Sequence, residues 1–474
     1  MKTKAIKIIC FLLTFCVLLY SISRALRFKY YDGIYQFDSF YKLDNNSTDV
    51  LLLGSSHSFI NINAFYLFKY YGISSFNLAG SSQPLWNTYF YLKEALKTQK
   101  PKLVILEAYT TIINYEYIDD SRIIKNNFGL KWSINKINSI MVSSPKNRWN
   151  EFLNPFYQYH NRYSSLIIED FLNYKGREKY KYDKGYVLFY NVYSNIKPIL
   201  DYTTNEKKIY SKSEIYYRLI IELAKNNNIP ILVVKTPYAV YNEYEHTIYN
   251  MATKIAEEYN VPFINLNYNY DDYNLDFSKD FADIVHVNYL GAEKIAKYLG
   301  RYLKDNYDLP DRRGDPKYYS WEMNAKYQDK EIYNFELKQY TNIYEYIKKV
   351  KNTNDYIIGI TMLGDYKKDD FVVKNIVTNF NINEMYLKND SYVIDNNKLI
   401  YFSHGSNQYL FYKEIGNYTD LVLDSGRKLS INRTNYIKTT NGINILIYDK
   451  FTEEIVDNIY LEYKENSIDA TIKR

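Results

Sequence analysis

Three side chains set the chemistry this chain could carry: the hydroxyl of Ser56, the imidazole of His286 and the carboxylate of Asp283. A serine hydroxyl is a weak nucleophile until a neighbouring base takes its proton, and imidazole is the usual base. A carboxylate can hold that imidazole in one tautomer and stabilise its charged form. Asp283 and His286 are spaced so that both can lie on one side of a single turn. Ser56 lies in DVLLLGSSHSF, Asp49 to Phe59. The apolar run from Val50 to Gly54 is short and bounded, so it reads as a buried strand. Ser55, Ser56, His57 and Ser58 then stand at the carboxyl end of that strand, where open α/β sheets place ligands. Gly54 permits a tight turn, and the amides after it can point at an anion. A tetrahedral acyl intermediate also needs donors for its oxygen. The amides of Ser56 and of Gly80, which follows a second strand, are candidates. The plain alternative is a strand, a serine-rich turn and a helix cap, with Asp283 capping and His286 on the surface.

His57 reads as a pocket wall or a surface residue. His160 and Arg162 either bind an anionic substrate group or form a salt-bridged turn. His246 and His404 read as incidental. No cluster has metal-ligand spacing, so neither a metal nor a cofactor is expected. The net charge of +6 is mild and scattered, with no dense basic block beside aromatics; nucleic acid is therefore not an expected partner, whereas an anionic envelope polymer is compatible. Tyrosine is abundant at 57 residues, which we read as the bias of an AT-rich genome, so no single tyrosine carries weight. Both cysteines, Cys10 and Cys16, fall in the first apolar segment, so the remainder can form no disulfide.

The elements that would position Ser56, Asp283 and His286 alternate. Strands are expected at Val50–Gly54, Ser75–Leu78, Lys102–Leu106, Pro230–Lys235 and Pro262–Leu266, with helices at Ala64–Tyr71, Leu85–Leu96, Glu214–Lys225, Thr247–Tyr259 and about Leu290–Leu303. Such alternation signals parallel βαβ units and an α/β domain over about residues 28–308. Phe28 to Asn46 reads as a stalk. Residues of about 110–210 read as a helical insertion over one edge of the sheet. A linker is expected over 309–330, where LPDRRGDPK holds two prolines and a glycine. A smaller, β-rich α/β domain follows over 331–474, with one helix near Ile343–Val350.

The amino-terminal residues 1–27 hold three lysines ahead of an uncharged run from Ile8 to Ser23. At 1.5 Å per residue the run is marginally short for a bilayer core of about 30 Å, and Lys7 and Arg24 can snorkel. A single-pass anchor with its amino end inside is the preferred reading. A cleaved signal peptide is the alternative, though no small-x-small site follows; a buried soluble helix is a third.

Strand-GSS-helix, NLAG from Asn77 to Gly80, and DIVHVNYLG from Asp283 to Gly291 together resemble the SGNH/GDSL hydrolase superfamily. The resemblance covers about residues 47–307. It implies a flavodoxin-like three-layer parallel sheet and acyl-ester chemistry, with Ser56 as nucleophile, His286 as base, Asp283 as its orienter and Gly80 in the oxyanion hole. One position departs: where the superfamily has an asparagine after the third strand, this chain has Glu107, which cannot donate when ionised. Asn77 or an inserted residue would have to contribute. GSS with an amino-terminal anchor is similar to the teichoic acid D-alanine transfer protein and to alginate O-acetyltransferases, which act beside a polytopic membrane acyltransferase. Tyr344 to Gly359 and Gly442 to Asp457 are similar to interleukin-like carbohydrate-binding domains.

The expected function is an extracytoplasmic, serine-dependent O-acyltransferase or esterase acting on a cell-envelope polysaccharide or teichoic acid. The rivals are a non-catalytic glycan-binding or assembly protein and a secreted lipase or peptidase.

Overall fold

The structure is a computed structural model that describes residues 2–29, 31–171, 184–199, 203–240, 242–268, 270–364, 370–380, 390–403, 410–416, 419–424, 428–464 and 466–474. The chain divides into two units, Met1–Ala325 and Lys326–Arg474.

The first unit is built on five parallel strands: β1 (Val50–Gly54), β2 (Ser75–Ala79), β3 (Leu103–Glu107), β4 (Ile231–Lys235) and β5 (Phe263–Asn265), in the order β2-β1-β3-β4-β5. Helices cover both faces of a parallel sheet, so its strands bury both sides and read as unbroken apolar runs. Val50, Leu51, Leu52 and Leu53 are accordingly all inaccessible. The order reverses between β1 and β3, and the crevice at the carboxyl ends of those two strands is where such sheets bind ligands. Ser56 and Tyr109 both follow directly there.

Local signals fix the elements around that crevice. Asn63 caps the helix Ala64–Tyr71 by accepting from the amides of Phe65 and Tyr66, and Gly72 ends it in the left-handed region at φ 68°. Gly54 has φ 138°, and a Cβ there would lie 2.9 Å from Glu107 Cβ, so the backbones of β1 and β3 meet only because Gly54 lacks a side chain.

Two expectations change and one is extended. Residues 28–46 are not a stalk: Ile34, Phe37 and Phe40 are buried, and Phe37 and Phe40 pack edge-on against Tyr91 and Phe76 in the core. The insertion supplies helices at Asp120–Asn127, Ile134–Ser143, Trp149–Leu153 and Pro155–Tyr159. It covers a face as well as an edge: its helices pack on the helix Leu85–Ala95, which itself lies against β1 and β2, and the amide of Asn77 in the outer strand β2 donates to Lys184 O at 2.8 Å. Asn87 Nδ2 sits 3.0–3.1 Å from Asn127 Oδ1, Ser139 Oγ and Ser143 Oγ in that interface. Residues 309–317 are held to the first unit: Arg312 forms a bidentate pair with buried Asp49 at 2.8 Å.

The helix Lys2–Leu26 includes one span, Lys4–Leu26, that is long and apolar enough to cross a membrane, and it is exposed except at its end, where Ala25 is buried.

Among the described residues the second unit holds a six-stranded sheet in the order β15 (Ser467–Ile468), β14 (Glu454–Lys464), β13 (Gly442–Asp449), β6 (Tyr356–Leu363), β7 (Ser391–Asp395) and β8 (Lys398–Ser403), and a four-stranded one in the order β12 (Thr434–Asn435), β11 (Lys428–Ile431), β10 (Thr419–Asp424) and β9 (Leu410–Gly416). Their central strands are β6 and β13 in the larger sheet, and β10 in the smaller. One face of the larger sheet packs under the helices Ile343–Lys351 and Phe371–Asn379; the second of these helices was not read from the sequence. Leu421 and Leu429 of the smaller sheet pack on the other face, and a Cβ on Gly359 would meet Leu429 Cδ1 at 2.5 Å.

Candidate active site

Two adjacent serines divide the work at the end of β1. Ser55 is the N-cap of the helix Ser56–Asn61, and its hydroxyl accepts from the amide of His57 at 3.4 Å. Ser56 is therefore not needed as the cap. Its hydroxyl lies 2.9 Å from His286 Nε2, and its amide, the first of the helix, has no acceptor within that helix.

His286 comes from a tight loop after β5. Phe281 and Val287 form an antiparallel bridge, and the amide of Ala282 donates to His286 O at 2.9 Å. Asp283 Oδ1 accepts from the amides of Val285 and His286, both at 2.8 Å, while Asp283 Oδ2 lies 2.9 Å from His286 Nδ1. Partial burial pushes the Asp283 carboxyl up, but the imidazole and these amides outweigh it and hold it below the usual carboxylate value. An ionised Asp283 accepts the Nδ1 proton, which leaves Nε2 with the lone pair that faces Ser56. The Asp283 side chain is 45% exposed and the His286 side chain 16%, so the pair is reachable from outside. Asn288 caps the next helix, Tyr289–Asn306, through the amides of Leu290 and Gly291, and its amide also binds Lys279 O at 2.6 Å, closing the loop.

Beneath His286 lies a buried polar floor that the sequence did not disclose. The His57 ring stacks on Tyr109 at 3.9 Å and lies 5.0 Å from the His286 ring. His57 is thus a wall of the site. Its Nδ1 is 3.4 Å from Thr236 Oγ1. Thr236 Oγ1 also accepts from Asn61 Nδ2 at 3.0 Å and donates to Glu107 Oε1 at 3.3 Å. Asn61 Oδ1 in turn accepts from the amide of Val287, next to His286, at 3.1 Å. Burial, then the charge of Lys235 and then His286, hold His57 well below its ordinary value, so it is neutral. Glu107 and Lys235 are both inaccessible and 3.8 Å apart. Burial raises the Glu107 carboxyl against the pull of Lys235, and burial lowers Lys235 to about 8. One trace of this floor was visible beforehand: β3 and β4 each end an apolar run on a charged residue, Glu107 and Lys235.

Gly80 follows β2 one position past the Gly54–Ala79 pairing. A Cβ on Gly80 would meet Asn126 Oδ1 at 2.1 Å, so the inserted helix approaches it closely. Asn77 does not stand at the strand end. It pairs with Leu52 in mid-strand, and its side chain donates to Ile62 O at 3.1 Å and accepts from Ser58 Oγ at 3.3 Å. Its amide is thereby drawn into the strand packing, and the expected role in an oxyanion hole fails on that placement. Arg162 likewise does not face a substrate. Its guanidinium forms two 3.1 Å bonds to Asp170 and donates to the carbonyls of Leu26 and Arg27, making the salt-bridged turn. The His160 side chain and all of His404 lie outside the described residues. His246 is buried, with Nδ1 2.9 Å from Tyr268 Oη. Among the described residues no three His, Cys, Asp or Glu side chains are grouped to hold a metal.

No protein-family model matches the chain. No curated protein matches it either. Among solved structures it is similar to a Bacteroides fragilis protein described as a putative acylhydrolase, at 12% identity and a TM-score of 0.29, over 56% of this chain and 93% of that one. A likeness at that score carries no weight for the fold or for the chemistry.

Proposed function

We propose that this protein is a membrane-anchored SGNH-type enzyme that transfers or hydrolyses an O-acyl group on a cell-envelope polysaccharide or teichoic acid. The observation that carries the reading is the 2.9 Å approach of Ser56 Oγ to His286 Nε2, with Asp283 at 2.9 Å on the other ring nitrogen. Ser56 Oγ attacks the acyl carbonyl while His286 Nε2 takes its proton. The imidazolium, held by Asp283, returns that proton to the leaving alkoxide. A sugar hydroxyl or water then resolves the acyl-serine by the same route in reverse. The amides of Ser56 and Gly80 are the proposed oxyanion donors. The strand order 2-1-3-4-5, with Ser56 at the switch point, supports a flavodoxin-like SGNH domain. The apolar span Lys4–Leu26 supports an anchor that leaves the rest of the chain extracytoplasmic, or a signal segment that is removed. A polytopic acyltransferase is the proposed source of the acyl group, and the second unit the proposed glycan-binding part.

A second reading, a glycan-binding or assembly protein without catalysis, draws on Glu107. That carboxylate occupies the third donor's position and is locked against Lys235. Loss of one oxyanion donor costs about 10²–10³ in rate. The test is labelling of the full chain in detergent with a serine-directed fluorophosphonate. The enzyme reading expects an adduct on Ser56 that disappears in Ser56→Ala and falls at least 100-fold in rate in His286→Gln. Absence of any adduct, or equal labelling of Ser56→Ala, would leave only the binding protein.

A further inference from the structure

The exit of the apolar helix is gripped by the first unit in a way that its polar chemistry explains only in part. The helices Pro155–Tyr159 and Ile168–Phe171 and the turn His160–Ser165 pack against the helix Lys2–Leu26. Arg162 holds the carbonyls of Leu26 and Arg27, where a cation favours a helix end. The cations here are paired: Arg162 and Lys29 share Asp170, and Arg27 pairs with Asp38. Phe28 packs edge-on against Tyr159 at 5.6 Å. Around this paired core three large hydrophobic side chains face outward beside the exposed Ser164 and Ser165. Tyr163 is 74% exposed, Ile167 60% and Phe171 65%.

Depth decides what these side chains meet. At 1.5 Å per residue, the 23 residues of Lys4–Leu26 measure about 34 Å, so a span centred on a core of about 30 Å ends at its outer boundary. Elements fastened to Leu26 and Arg27 must lie at headgroup level, where amphipathic aromatic rings are favoured. We infer that residues 157–171 form a collar that lies in the outer membrane–water interface, with Tyr163, Ile167 and Phe171 inserted among the lipids. The occupant is a lipid surface, because continuity with the exposed span puts lipid beside the collar. The collar rests on the anchor reading above, and it fixes the tilt of the first unit against the bilayer instead of leaving it on a loose tether.

The test uses the full chain with Cys10→Ser and Cys16→Ser, reconstituted alone into lipid nanodiscs. Single cysteines replace Tyr163, Ile167, Phe171, Tyr20 within the span, and exposed Ile215 as the aqueous reference; each carries an environment-sensitive fluorophore. Shallow spin-labelled lipid is expected to quench the three collar labels at least twofold more than the label at Ile215→Cys. Quenching at Tyr20→Cys with collar labels no more quenched than the reference would overturn the collar while leaving the anchor standing; a collar that faces a membrane protein gives this result in lipid-only discs. No quenching at Tyr20→Cys would remove the anchor and the collar together.

Discussion

Adjacent residues of one type do different things here because of where the backbone points them. Ser55 closes the helix start and Ser56 faces the imidazole. The more demanding residue is Glu107. It is wholly buried beside a single cation, and removing one member of a buried pair leaves the other charge uncompensated. Glu107→Gln is therefore expected to destabilise the chain by about 3–5 kcal/mol, read from the midpoint of urea unfolding. Glu107→Gln with Lys235→Met should recover much of that loss, since the stranded charge is gone. If the double variant is as unstable as the single one, the pair is not the source of the effect.

Among the elements, the short helix Ser56–Asn61 is the hub. Its first residue carries the hydroxyl, and its last, Asn61, bonds Thr236 on one side and the His286 loop on the other. Asn61→Ala should leave Ser56 and His286 in place but loosen their alignment, and misplacement of reacting groups by about 1 Å can cost on the order of 10²-fold. The expected result is fluorophosphonate labelling slowed about 10-fold to 100-fold, with a modest fall in the thermal midpoint because the buried amide of Val287 loses its acceptor. Labelling at the wild-type rate would show that the loop holds itself. Much of this arrangement was legible beforehand. Parallel strands announce themselves as apolar runs, and Gly54 marks the turn after β1 through local chemistry. The parts that were not legible depend on partners distant in sequence. Asn77 resembled a donor until its place in mid-strand gave its amide to Ile62. Arg162 resembled an anion site until it met Asp170 and the end of the first helix. Phe37 and Phe40 lie in a polar, aromatic stretch with no regular period, and only the core shows why they are there.

For the molecule as a whole, buried histidines contribute to the response to acid. His246 is held at about 4, first by burial and then by the charge of Lys235, whereas an unfolded histidine titrates near 6.5. Below about 6.5 the unfolded chain takes up a proton that the folded chain refuses, so stability falls as pH drops toward 4. His57, held low by burial, acts in the same direction. Denaturant midpoints of the detergent-solubilised chain should decline between pH 7 and pH 5, and His246→Gln should reduce that decline relative to its own value at pH 7. An unchanged slope in the variant would mean that His246 does not carry the effect.

The bond between Ser56 and His286 joins residues 230 positions apart. Chains are made from the amino end, and contacts of long sequence separation form late because loop closure must come first. Through most of its synthesis, then, the nascent polypeptide carries its hydroxyl without the imidazole proposed as its base. On the proposed enzyme reading, a chain truncated before residue 286 lacks its base and is inert, so reactivity waits until the loop that carries His286 has emerged.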